Sequence, residues 1–418
     1  MSRAVSRRLA CIEPGTLFVG VDLSLDDSVA VVLDGRAKQL DRFRFPNDAD
    51  GYRYFHRRLA TAQDREQAPA VLVGMEPTNY FWKLLASDLE RRQVPYRMVN
   101  PYTVKKHREG DQLSRSKNDY RDAFMIGDLL RTGKFTETQL LHGDYAELRQ
   151  YVVLRDRLKG DIRRQKSLIR NIAGQLFPEL SQEFTDFSCL TALAMLRGHA
   201  VPSVIRGLPR ATFIAAARAD FTGQRLPVSK LRRVYALTER SVGVQHGTEA
   251  LQQALCVHVD TLRLLQEQLE RVEDALLSIF DRLPPAPYLL SVPSLGEITA
   301  AIILAEIGDP SHYSNGSQLI KLAGSQPVTN TSGRKARSRT PMSHKGRSRL
   351  RTALYFAVLR LVQHDDNFAR IYRRFQQREN NPLTKMQALG ALMNKLLRVL
   401  WALMKQQTFY DPTHEMSS

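Results

Sequence analysis

Cysteine is scarce: Cys11, Cys189 and Cys256 are the only three, and they stand far apart. That excludes a disulfide framework and a cysteine-rich metal site, and it fits a reducing, cytoplasmic setting. No stretch approaches the roughly 20 apolar residues that a membrane span needs, so no membrane partner is expected. A Gly-x-x-x-x-Gly-Lys-Ser/Thr phosphate loop is absent, and nucleotide hydrolysis therefore finds no support. His-Glu-x-x-His is absent too, and the ten histidines are scattered and read as structural or surface residues. The N-terminus carries Arg3, Arg7 and Arg8 with no apolar signal core behind them, and reads as a short mobile tail.

Positive charge is plentiful. Lys and Arg total 61 against 43 acidic residues, a formal net charge of +18. Such a field attracts polyanions, which makes nucleic acid the default partner. The 418 residues are enough for two or three domains with ordinary cores.

Along the chain, Leu17-Phe18-Val19-Gly20-Val21-Asp22 is an apolar run ending in an acid. A second strand over 28–33 leads to an Asp34-Gly35 turn, a hairpin signal, and residues 38–45 alternate as a third strand. A polar helix fits 48–63. Val71-Leu72-Val73-Gly74-Met75-Glu76 is again apolar and again ends in an acid. A helix over 80–92, a strand over 96–100, a polar basic loop and a helix over 119–131 follow. The order β-β-β-α-β-α-β-α predicts an RNase H-like (RuvC-like) α/β domain over residues 1–135.

Residues 136–286 read as a helical linker with coiled-coil character. Leu148, Val152, Leu158, Ile162, Ile169, Ile172 and Leu176 keep one stripe. Leu251, Leu255, Leu262, Leu265, Leu269, Val272, Leu276 and Ile279 keep another at spacings of three and four. Either the two stripes cover each other within one chain or they form a dimerisation arm. Residues 181–245 form a helical insertion between them. From 287 to 418 a mostly helical domain is expected, with a loop over 324–351 and a last helix over 384–404.

Asp22 and Glu76 end strands that can be neighbours, and Asp119 and Asp122 share a helix face at i and i+3. Clustered carboxylates repel unless a cation sits among them, and hard ions such as Mg²⁺ take oxygen ligands. Asp26, Asp27 and Asp128 read as solvated acids or caps. Residues 331–351 hold eight Lys or Arg and no acid: Arg334, Lys335, Arg337, Arg339, Lys345, Arg347, Arg349 and Arg351. Phosphate contacts need that chemistry, and Gly333 and Gly346 allow backbone to approach a phosphate closely. Ser332, before Gly333, is a candidate nucleophile. Residues 292–299, Val-Pro-Ser-Leu-Gly-Glu-Ile-Thr, form either a helix-hairpin-helix turn or a plain helix–helix turn.

Gly20-Val21-Asp22, Gly74-Met75-Glu76-Pro77-Thr78 and Lys117-Asn118-Asp119-Tyr120-Arg121-Asp122-Ala123 resemble the DEDD insertion-sequence transposases. These are also called bridge-RNA-guided serine recombinases, with pilin-gene invertases as relatives. Residues 292–309, Leu322-Ala323-Gly324, Ser332-Gly333, Met342-Ser343-His344-Lys345-Gly346 and Leu350-Arg351 extend the likeness over nearly the whole chain. Asn118 stands where Thr is common and Ser294 where Gly is common, and the 181–245 insertion is longer than in the smallest members.

The resemblance implies Mg²⁺ (or Mn²⁺) on Asp22, Glu76, Asp119 and Asp122, and DNA attack by Ser332, with Ser343 in reserve. It further implies donor and target DNA as partners, a non-coding bridge RNA, and assembly to a dimer or tetramer. The carboxylates and the serine are far apart in sequence, so a composite site is expected. Two rival readings remain: a metal-dependent nuclease of junction-resolvase type, and a non-catalytic nucleic-acid-binding protein.

Overall fold

The computed structural model describes residues 3–77, 80–110, 119–136, 140–220, 227–328 and 341–412. Two compact units emerge, Met1–Leu141 and His142–Ser418.

The first unit is built on one five-stranded sheet. Its strands are β1 (Leu17–Asp22), β2 (Asp27–Leu33), β3 (Gln39–Pro46), β4 (Val71–Met75) and β5 (Tyr96–Met98), in the spatial order β3-β2-β1-β4-β5. The first three pair antiparallel, while β4 joins β1 and β5 joins β4 in parallel. Period-two alternation separates the two faces. Val19, Val21, Val73 and Met75 point into one apolar cluster with Phe55 of α2 (Ala49–Glu66) and Leu85 of α3 (Phe81–Arg91). Phe18, Val29, Val31, Leu33 and Leu72 point into the other, with Val104 of α4 (Pro101–Gly110) and Ala123, Ile126 and Leu130 of α5 (Asp119–Arg131). The result is a helix–sheet–helix sandwich.

Two segments depart from the sequence reading. The expected N-terminal tail contains a helix, α1 (Arg3–Leu9), and Arg8 donates to the Gly133 carbonyl at 3.2 Å. Part of the expected basic loop is α4. Its start has a local cause: Pro101 takes the first helical position, where its missing N–H costs nothing, and the Asn100 side chain accepts from Tyr102 N at 2.9 Å.

The second unit is helical among its described residues. Two long helices, α6 (Gly143–Leu176) and α11 (Thr248–Arg282), frame it. Leu148 and Val152 share a cluster with Leu276 and Ile279, whereas Ile169 and Leu176 share another with Leu255 and Leu262. The helices therefore run antiparallel, and each covers the other's apolar stripe within one chain. Arg155 pairs with Glu273 across this seam at 2.6 Å.

Between them lie α7 (Leu190–Gly198), α8 (Pro202–Arg206), α9 (Arg210–Asp220) and α10 (Val228–Leu237), which bury Leu193, Ile205, Phe213 and Val234 against one end of the pair. The other end packs on α12 (Ala286–Leu290), α13 (Glu297–Ile307), α14 (Gly316–Ala323), α15 (Ser348–His364), α16 (Asp366–Gln377) and α17 (Lys385–Gln406). Helix α17 opens with a capping box, in which Thr384 and Gln387 satisfy each other's end of the backbone. Among the described residues no helix is long and apolar enough to cross a membrane.

Candidate functional site

In the first unit, strand register and two glycines position the acids. Gly20 lies opposite Gly74 and Val21 opposite Met75, so Asp22 and Glu76 follow at matching ends of parallel neighbours. Helix α5 comes close enough to fill the space above both glycines. A Cβ at Gly20 would lie 1.9 Å from the Ala123 carbonyl oxygen and 2.4 Å from the Gly127 nitrogen; one at Gly74 would lie 2.4 Å from Leu130 Cδ1. Gly20 and Gly74 thus mark the α5 face of the sheet, and side chains two residues on return to the same face. Asp22 is on that face, and Glu76 directly follows the last residue of β4.

Asp119 and Asp122 occupy the first turn of α5, where the helix dipole favours negative charge. Asp122 is buried, whereas Asp119 is half-buried. A basic patch on β3 meets them. Arg44 lies opposite Val29, which lies opposite Asp22, so all three side chains share one row on the α5 face. Arg44 Nη2 is 3.2 Å from Asp119 Oδ2, and the guanidinium groups of Arg42 and Arg44 lie over the Tyr120 ring at 5.2 and 5.8 Å. Among the described residues, no three His, Cys, Asp or Glu side chains converge closely enough to hold one ion. The topology thus brings Asp22 and Glu76 to the C-terminal ends of two central strands and Asp119 and Asp122 to the helix that covers them, with Asp119 turned to an arginine.

In the second unit, residues 326–328 and 341–343 pair as a short stem. Val328 N donates to Pro341 O and Ser343 N to Gln326 O, both at 2.9 Å, around a bridge between Pro327 and Met342. Ser332, Arg334, Lys335, Arg337 and Arg339 belong to the connection between those arms and lie outside the described residues. Ser343 lies in the stem itself, where its hydroxyl donates to Gly324 O at 3.1 Å. Gly346 sits against Gly324: a Cβ on Gly346 would lie 2.3 Å from Gly324 N, so its lack of a side chain serves chain packing.

The last part of the run turns inward. Glu306, on α13, is 1% exposed. Its carboxylate draws Arg349 Nη1 to 3.3 Å, Arg149 Nη2 to 3.7 Å and Arg347 Nη1 to 3.8 Å. Arg347 also donates to the Glu306 carbonyl, Arg349 pairs with Asp156 of α6, and Arg351 donates to Ala323 O at 2.7 Å. Burial, and next the neighbouring Arg149, pull the Arg347 pKa below its usual value, with Glu306 acting against them. Arg347, Arg349 and Arg351 are thus engaged within the protein, while Lys345 is exposed. Sequence reading missed Glu306 and Arg149. The signal was an acid in the last turn of a helix, Glu-Ile-Thr-Ala-Ala-Ile-Ile-Leu-Ala-Glu-Ile, whose other acid, Glu297, is explained by its place in the first turn.

The turn before α13 has Ser294 in the left-handed region, φ 60°, a conformation that favours glycine. This is the position where the sequence departs from a Gly-containing hairpin.

Comparison with known proteins gives two family matches. Residues 19–178 match a family of DEDD type described as "Transposase", and residues 286–373 match "Transposase IS116/IS110/IS902 family". Together they span more than half of the chain. Relatives include an insertion element IS110 protein of Streptomyces coelicolor, 26% identical over 71% of this chain and 72% of its own length. The mini-circle putative transposase for IS117 of the same organism is 26% identical over 77% and 78%. A pilin gene-inverting protein of Moraxella lacunata is 26% identical over 38% of this chain and 52% of its own. Two matches in the same order as the two signatures, with relatives aligned over most of both chains, leave one assignment: the chain belongs to the IS116/IS110/IS902 family of DEDD insertion-sequence transposases, enzymes that rearrange DNA.

Proposed function

We propose that this transposase is a site-specific recombinase that cuts and rejoins donor and target DNA through a serine–phosphodiester intermediate. Its first unit is read as RuvC-like, binding Mg²⁺ or Mn²⁺ through Asp22, Glu76, Asp119 and Asp122. The observation that carries this reading is the shared face: two acids at matching strand ends, and two more on the helix packed against those strands by Gly20 and Gly74. The donor set fits a hard divalent cation, being all carboxylate oxygen with no thiol or imidazole. When bound, such an ion supplies charge stabilisation to a phosphoryl group in transfer. Asp119 would exchange its Arg44 partner for it.

Ser332 is the proposed nucleophile. As its Oγ bonds to phosphorus, the bond from phosphorus to the leaving sugar oxygen breaks, and the hydroxyl proton passes to a base. Rejoining runs in reverse, a free sugar hydroxyl displacing Oγ. Arg334, Lys335, Arg337, Arg339 and Lys345 are proposed to hold DNA phosphates beside it. Arg347, Arg349 and Arg351 are proposed to shape the segment from behind, since their guanidinium groups are already engaged. The net charge of +18 agrees with DNA and a non-coding bridge RNA as joint partners. A homo-oligomer, dimer to tetramer, is part of the same proposal, as is a three-part chain of 1–135, 136–286 and 287–418.

The test is a denaturing gel of wild type, Ser332→Ala and Asp22→Ala with DNA and Mg²⁺. Wild type should leave protein covalently attached to a DNA end, and both variants should lose that band and strand cleavage. Near wild-type cleavage by Ser332→Ala would mean that water attacks, as in a junction-resolvase-type nuclease. Unchanged activity of Asp22→Ala would remove the metal role.

A further inference from the structure

Helix α16 carries Arg370, Arg373 and Arg374, and Arg378 is its C-cap. These positions are three, four and eight residues from the first, so they form one stripe about 12 Å long at 1.5 Å per residue. All four are exposed and line a shallow concave surface, with Asp366 at its N-terminal end. The opposite face buries Phe368 and Ile371 and packs Tyr372 and Phe375 on the core.

None of the four arginines has an acidic partner among the described residues. Arg370 donates to the Asn367 side chain, Arg373 to Ala369 O and Arg378 to Asn381 O. Like charges three and four apart on a helix destabilise it. Here that penalty recurs at Arg370/Arg373, Arg370/Arg374 and Arg374/Arg378. The helix dipole accounts for cations near the C-terminal end, but not for Arg370 and Arg373. The positive field also reaches α17, where burial, then Arg374 and Arg398, lower the pKa of Lys395. An uncompensated cationic stripe on a rigid helix is complementary to a regular row of phosphates, which a duplex presents about every 3.4 Å per strand. A single strand would call for exposed stacking rings, and the aromatic residues of α16 face inward.

We propose that the outer face of α16, through Arg370, Arg373, Arg374 and Arg378, is a second DNA-binding surface that grips the backbone of duplex DNA without reading its sequence. This rests on DNA being the substrate, but not on the serine or the metal.

The test uses the full-length protein, with Arg370, Arg373, Arg374 and Arg378 all changed to Gln. Binding to a random duplex of about three helical turns, and to an unpaired RNA of equal length, is followed by fluorescence anisotropy from about 50 to 200 mM salt. Duplex affinity should fall at least about tenfold, and the slope of log K against log salt should flatten by about three to four. RNA affinity should change much less, and the melting midpoint should not fall. Unchanged duplex affinity, or a loss no larger on DNA than on RNA, overturns the proposal. Should the variant fold poorly, Gln377→Lys decides: one more cation on the stripe should tighten duplex binding and steepen the slope by about one. No change there overturns it equally. The readout needs no strand cleavage, so it stands even if Ser332→Ala proves fully active.

Discussion

The two units position their charged groups by opposite means. In the first, the backbone does it: Asp22 and Glu76 stand where parallel register puts them, and α5 is seated by main-chain contact over Gly20. In the second, a side chain does it. Glu306, with 1% of its surface exposed, collects Arg149, Arg347 and Arg349 from two other helices and the turn before one of them. A backbone-built face keeps its shape whichever acids it carries. A carboxylate-built cluster loses its organising group with one atom's change. A face proposed to accept and release an ion gains from a frame that does not depend on the charges it displays. A buried cluster has the opposite task, to hold one segment still.

The largest effect should come from the second unit. Glu306→Gln keeps the shape but leaves three guanidinium groups without their shared anion, and breaking a buried pair from one side costs about 3–5 kcal/mol. Urea unfolding measures it. A loss under about 1 kcal/mol would put this cluster in the class of surface pairs. Asp156→Asn, which removes a partly exposed partner of Arg349, should cost much less.

The first unit should break through its glycines. Gly20→Ala places a methyl against Ala123 O and Gly127 N, which cannot rotate away, so α5 must lift at about 1–3 kcal/mol. Gly74→Ala meets the Leu130 side chain first, which can shift where main chain cannot, and should cost less. Equal losses in the same unfolding assay would mean that main-chain contact does not seat the helix.

These differences also explain what could be read from residues alone. Strands β1 and β4 were legible because a buried strand is a short apolar run, and an acid at its end is conspicuous in one dimension. Helix α5 was legible from its period. Helix α4 was not, because Lys105, Lys106 and His107 mask a start set by Asn100 and Pro101. The stripes of α6 and α11 were equally visible, but which surface covers them is a three-dimensional fact. The run 331–351 announced its charge, yet the inward engagement of Arg347 and Arg349 depends on Glu306, about 40 residues earlier. Charge composition reports the field of a segment, and only the fold reports which cations are already spent. The α16 stripe shows the converse, a set of arginines that drew no notice in one dimension and that has no acidic partner among the described residues.

The smallest effect concerns the meeting point of acid and arginine on the first unit. Arg44 and Asp119 are 52% and 48% exposed, so their pair is worth under about 1 kcal/mol, and Arg44→Gln should barely move stability. Its value lies in the proposed metal role. Ion binding to the folded state raises the melting temperature by mass action. In a Mg²⁺ titration of the melting temperature, Arg44→Gln should respond at lower Mg²⁺ than wild type, because Asp119 no longer leaves an ion pair to serve the ion. Removing any nearby positive charge would help somewhat, so Arg42→Gln is the control: it lies over the same Tyr120 ring and loses the same charge. A larger shift for Arg44→Gln than for Arg42→Gln supports Asp119 as a ligand, and equal shifts take it out of the metal set.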